Sequence, residues 1–167
     1  SSLRQENEKV EMIFAQMAEG AIFSNEEGQF LLSNPVAGRL LGVLDEESSG
    51  NNIWGILKNF ETVPPLEAIR KNQDEVLSFE ASRSEGKTLI LAGLIKRILS
   101  DRKEVVGHLT LLRDITLEKK EERMKRDFLS LMSHKLKTPL VAITGYTTML
   151  LEEEGLDKLN PFIKKAI

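Results

Sequence analysis

EVLSFEASRSEGKTLILAGLIKRILSDRKEVVGHLTLLRDIT, residues 75–116, holds three strand-like runs divided by two turn signals. Residues 75–83 alternate through Leu77, Phe79 and Ala81, and Ser84, Glu85 and Gly86 turn the chain. Residues 87–99 form a second run, residues 100–104 turn again, and residues 105–115 form a third. Runs of this length joined by such short turns predict neighbouring antiparallel strands. Upstream, residues 21–24 and 29–33 flank a turn ending at Gly28, which predicts a β-hairpin. Between hairpin and meander the pattern is helical. Asn34 and Pro35 provide an N-cap and a first helical residue, Val36, Leu40 and Leu41 a buried side, and Gly42 a stop. Residues 45–50 read as a polar loop, residues 52–60 as a short apolar helix, and residues 64–72 as another, through Leu66 and Ile69. Two strands, several short helices and three strands predict an α+β fold over residues 20–116: a five-stranded antiparallel sheet with short helices on one face.

Outward from this unit the sequence is helical on both sides. Over residues 6–19, Val10, Ile13, Phe14 and Met17 recur at helical spacing, so residues 1–19 form an amphipathic lead-in. Residues 117–127 carry Leu117 and Met124 seven apart, followed by Phe128 and Leu131, which predicts a two-stranded coiled-coil linker. In residues 128–167, Phe128, Met132, Leu136, Leu140 and Ile143 make an apolar stripe that needs a partner. His134 lies off that stripe and faces water. Thr138, four residues on, shares its face, and Pro139 lacks the N–H that would bond the carbonyl of Lys135, which predicts a bend. Residues 155–157 read as the turn of a helical hairpin whose second helix has only begun by Ile167. The carboxy-terminal part is thus an all-α, truncated helical hairpin.

Composition narrows the function. The chain has 167 residues, 41% of them hydrophobic, with a formal charge of −3. No nucleic-acid signature and no run of eighteen apolar residues is present, so any membrane attachment is expected only through upstream segments. There is no cysteine, which excludes disulfides and thiol-linked chromophores, and two distant histidines do not make a metal site. Residues 64–72 contain neither His nor Met to ligate haem. Residues 118–137 carry seven basic against four acidic residues, a bias suited to phosphates and acidic partners.

Two resemblances follow from these residues. The order of elements, the Asn34-to-Gly42 helix after the second strand, and the closing Arg113-Asp114-Ile115-Thr116 are similar to a PAS sensory domain. In that family the acidic and hydroxyl pair, Asp114 and Thr116 here, couples the sheet to the outgoing helix. Phe23, Leu31, Trp54, Ile56, Leu57, Phe60 and Phe79 are the residues to line a small apolar pocket, with no ligand assigned and a filled core as the simpler outcome. Residues 128–145, with Ser133-His134-Lys135-Leu136-Lys137-Thr138-Pro139-Leu140, resemble the H-box of sensor histidine kinases. The resemblance implies that His134 accepts the γ-phosphoryl group of ATP and passes it to an aspartate of a response regulator receiver domain. Thr138 matches the position that places the water removing phosphate from the regulator. The resemblance further implies a cytoplasmic homodimer, a membrane-anchored parent as one possibility, and ATP held by a domain that this chain lacks. Lys135 stands where the family carries an acid that serves as base; an ammonium donates and cannot accept. Two readings therefore stand open: the sensory and phosphoacceptor part of a histidine kinase, and a catalytically silent PAS dimerisation and relay module.

Overall fold

Strands β4 (Val76–Arg83), β5 (Leu89–Leu99) and β6 (Val105–Asp114) form the expected antiparallel run in a computed structural model that describes residues 2–43 and 51–152. The register pairs Phe79 with Gly93 and Gly93 with Leu112, and pairs Leu77 with Ile95 and Ile95 with Thr110. Alternation then sends one side chain in two to the core: Phe79 and Ala81 from β4, Leu91 and Ile95 from β5, and Leu112 from β6 are all buried. The hairpin comprises β1 (Gly20–Ser24) and β2 (Phe30–Ser33), and β1 pairs with β6, bringing the sheet's first and last strands together.

The sheet has six strands, in the order β2-β1-β6-β5-β4-β3, where sequence predicted five. The addition is β3 (Glu61–Val63), an edge strand that pairs Glu61, Thr62 and Val63 with Ser82, Ala81 and Glu80. Three residues are too few to show a period of two, and the Pro64-Pro65 signal beside them pointed to a helix. Helix α1 (Ser2–Gln16) precedes the sheet, while α2 (Pro35–Leu41), α3 (Ile53–Leu57) and α4 (Leu66–Lys71) lie between β2 and β4 in sequence. The loop read at residues 45–50 lies outside the described residues.

Helix α2 starts and stops where the sequence directs. Asn34 Oδ1 accepts from the Ala37 N–H at 3.0 Å, and Gly42 ends the helix in the left-handed region at φ 71°. Helix α3 is capped by Asn52, whose Oδ1 accepts from Trp54 N–H at 2.9 Å. Ala37, Leu41, Ile53, Trp54, Leu57 and Ile69 from the three helices join Ile22, Phe30, Phe60 and the sheet residues in one core. Burying a side chain of this size stabilises by about 1.5–3 kcal/mol, so this layer contact holds the unit together. Helix α1 contributes no buried residue; its tie to the sheet is the carbonyl of Phe14, which accepts from Asn34 Nδ2 at 3.2 Å.

Helix α5 (Thr116–Glu152) is continuous through the linker and the His134 segment, with Pro139 inside it. The chain forms two compact units that divide at residues 119 and 120, so the first turn of α5 belongs with the sheet and the remainder forms the second unit. The helical-hairpin turn read at residues 155–157 and its second helix lie outside the described residues.

Candidate functional site

Three places carry the side chains that sequence singled out: the junction between β6 and α5, the core under the helices, and the exposed face of α5 around His134. At the junction, the side chains of Asp114 and Thr116 are bonded to each other where α5 begins. Asp114 Oδ1 accepts from the Thr116 N–H at 2.9 Å and from its hydroxyl at 2.5 Å. The Thr116 oxygen in turn accepts from the Ile90 N–H of β5 at 2.9 Å, and the Ile115 N–H donates to the Ile90 carbonyl at the same distance. Ile115 itself is buried. The helix start is therefore fastened to the neighbouring strand. One residue pair that sequence did not reveal adds to this: Lys119 Nζ lies 2.8 Å from Glu80 Oε1, linking the first turn of α5 to β4. Both are partly exposed, and such pairs contribute about 0.2–1 kcal/mol. No local spacing predicts a contact between residues this far apart in the chain.

Asp114→Ala is expected to cost about 1 kcal/mol in urea unfolding, a typical net worth for an intramolecular hydrogen bond. Thr116→Val, which frees the Ile90 N–H while keeping the side-chain shape, is expected to cost slightly more. Equal stability in both variants would show that the hydrogen bonds do not carry the junction.

In the core, Trp54, Leu57, Phe60 and Phe79 are buried, with Ile56 packed against them. The expected lining by Phe23 and Leu31 is corrected. Ile22 and Ser24 take the buried positions on β1, so Phe23 falls on the other side of the strand, and Leu31 is 57% exposed on β2. Two polar groups that sequence did not flag stand out. His108 Nδ1 and Thr110 Oγ1, both from β6, are buried with no hydrogen-bond partner among the described residues. The His108 ring meets Trp54 edge-on at 5.9 Å between centroids, and Arg70 lies over the other ring at 5.9 Å. His108 and Trp54 are far apart in the chain, so their ring contact cannot be read locally.

In the second unit, His134, Lys135, Lys137 and Thr138 are all exposed. The Thr138 hydroxyl donates to the His134 carbonyl at 3.3 Å, so it is turned onto the backbone of the histidine's own turn. Thr144, Thr147 and Thr148 repeat the same back-bond to Leu140, Ile143 and Thr144. The apolar stripe is uncovered: Phe128, Leu136, Leu140 and Ile143 are each about 60% exposed. No helix among the described residues is long and apolar enough to cross a membrane.

The model of the PAS domain matches residues 18–117, more than half of the chain, and the model of the His Kinase A (phospho-acceptor) domain matches residues 124–167. The chain belongs to the PAS family. The first match ends at residue 117 and the second begins at residue 124, both within α5, so the junction fastened by Asp114 and Thr116 stands at the end of the PAS match. Among curated relatives, Sensor protein kinase WalK of Staphylococcus epidermidis is 28% identical over 158 residues, covering 95% of this chain and 25% of the relative. The protein of the same name from Staphylococcus haemolyticus is 28% identical over 164 residues, covering 96% and 26%. This chain thus spans about a quarter of the length of these relatives. The fold recurs in the PAS domain of an HTR-like protein from Haloarcula marismortui, with a TM-score of 0.51, 16% identity and coverage of 68% of this chain and 95% of that one. It recurs also in the PAS domain of BvgS from Bordetella pertussis, with a TM-score of 0.52, 15% identity and coverage of 75% and 98%.

Proposed function

We propose that this chain is the sensory and phosphoacceptor segment of a two-component sensor histidine kinase, working as a homodimer on the cytoplasmic side of its parent protein. The observation that carries the reading is a fully presented His134 on an uncovered amphipathic helix, within the region matching a phosphoacceptor domain. A ring nitrogen of His134 attacks the γ-phosphorus of ATP, which a domain outside this chain would hold. The N–P bond forms, the bridging P–O bond breaks, and ADP leaves with the electron pair. The phosphoryl group then passes to an aspartate of a response regulator receiver domain. Exposure suits both steps, because two different domains must reach the same imidazole. Thr138, on the same face, serves the reverse flow by placing the water that removes phosphate from the regulator.

Asp114 and Thr116 carry the signal from sheet to helix, since any shift of β5 pulls on the first turn of α5 through Ile90. The sensing core is the region of Trp54, Ile56, Leu57, Phe60 and Phe79. The buried, unpartnered His108 Nδ1 and Thr110 Oγ1 support a small ligand able to hydrogen-bond there. A second reading is favoured by one observation, Lys135 beside the histidine: a silent relay module that dimerises and transmits without phosphotransfer.

The test is to supply the chain with its ATP-binding domain and radiolabelled ATP. Acid-labile, base-stable label is expected on the starting protein, and none on His134→Ala. Equal labelling of the two proteins would overturn the phosphoacceptor role, and no label on either would favour the relay module.

A further inference from the structure

Helix α5 carries no carboxylate between Asp127 and Glu152. Asp127 is seven residues before His134, so it lies about 10 Å away along the axis, beyond hydrogen-bond reach of the ring. What flanks the imidazole is cationic. Lys137, three residues on, shares its face, and Lys135 stands about 100° around the helix, with a flexible stem that carries its ammonium toward the ring's side. Both side chains are exposed, and neither makes an ion pair among the described residues. The hydroxyl that shares the face, Thr138, is engaged with the His134 carbonyl.

We propose that Lys135 and Lys137 form a two-sided anion-binding collar around His134. It holds the phosphoryl group during and after transfer, and the imidazole releases its proton to an acceptor outside this helix. The inference rests on His134 being the phosphoacceptor. In the step, the ring nitrogen's lone pair forms the N–P bond and the bond from phosphorus to the leaving atom breaks. The leaving group departs with that pair, and the ring proton goes to it or to solvent. The product places a phosphoryl dianion beside two ammonium groups, each with three donors. An acid at position 135 would instead repel that dianion. The collar therefore favours the phosphorylated state of the helix and attracts anionic donors to it.

The experiment uses this chain and potassium phosphoramidate, a small phosphoryl donor that needs no nucleotide domain and loses ammonia on transfer. Phosphohistidine is followed by 31P NMR and located by mass spectrometry. In low salt, Lys135→Glu is expected to label roughly fivefold more slowly and Lys135→Gln about twofold more slowly, with Lys135→Arg restoring the rate. Lys137→Glu should behave like Lys135→Glu, and the double variant should show about the product of the two effects. All differences should shrink toward unity at about 1 M salt, where the Debye length is near 3 Å. Because both sites are exposed on a helix, unchanged circular dichroism separates charge from folding. Labelling of His134 at one rate in all variants, or a difference that ignores salt, overturns the collar and leaves the phosphoacceptor reading standing. Absence of label from His134 in every version overturns both.

Discussion

Asn34→Leu is expected to destabilise the PAS unit by about 3–5 kcal/mol, a large share of the 5–15 kcal/mol that holds a typical domain. The side chain is 1% exposed and makes four hydrogen bonds. Its oxygen accepts from the Ala21 N–H of β1 at 2.9 Å and the Ala37 N–H of α2 at 3.0 Å. Its nitrogen donates to the carbonyls of Glu19 at 2.8 Å and Phe14 at 3.2 Å. One amide thus fastens the first strand, the start of α2 and the end of α1. Leucine, with the same branched outline but bulkier methyl groups, leaves two buried N–H groups unpaired, and each costs about 1–3 kcal/mol. Asn34→Asp keeps the acceptor but turns a second carboxyl oxygen toward the carbonyls of Glu19 and Phe14, so its deficit adds the cost of a buried charge to the loss of both donors. Urea unfolding followed by far-UV circular dichroism measures both variants. A loss below about 1 kcal/mol for Asn34→Leu would mean that water replaces the amide, contrary to its burial.

The same residue shows how far sequence reading reaches. Asn34 followed by Pro35 announces a helix start, because capping is a relation between residues three apart. Nothing in that signal announces the bonds to residues 14, 19 and 21, which exist only once the hairpin has folded back. Glu61–Val63 escaped for the opposite reason: it is local, but too short to display a period. Leu31 and Phe23 looked like pocket residues because they are apolar, and the pleat of the sheet turned them away. Around His134 the motif needed no tertiary context, since its residues lie on consecutive helical turns. At the junction, Asp114 and Thr116 were legible as the pair that closes the last strand, whereas their anchor on Ile90 and the Glu80–Lys119 pair depend on strand pairing. In the core, His108 carries no local signal beyond lying in the strand-like run of residues 105–115. Its buried ring nitrogen acquires meaning only against Trp54 and Thr110. Local chemistry was readable wherever the partners lie within four residues of one another, and pairing across the sheet hid the rest.

Gly93→Val is expected to destabilise the sheet by about 2–4 kcal/mol, although valine is among the best strand formers and glycine among the worst. The reason is the cross-strand partner. Gly93 pairs with Phe79, and a Cβ at residue 93 would stand 2.1 Å from Phe79 Cζ and 2.3 Å from Cε1. The phenyl ring occupies the space that a side chain would need, and as a buried ring in the core it cannot swing out to water. The close contact concerns the ring alone, so a smaller partner should relieve it. Phe79→Leu by itself is expected to cost about 1–2 kcal/mol for the lost volume. Combined with Gly93→Val, it should cost less than the sum of the two, by about 1–2 kcal/mol of favourable coupling. Four proteins unfolded in urea close the cycle, provided the m-values agree so that midpoints report stability. Strict additivity would mean that the ring is not what reserves residue 93 for glycine. Favourable coupling would identify Phe79 and Gly93 as one packing unit that joins the core to β5, the strand to which α5 is fastened.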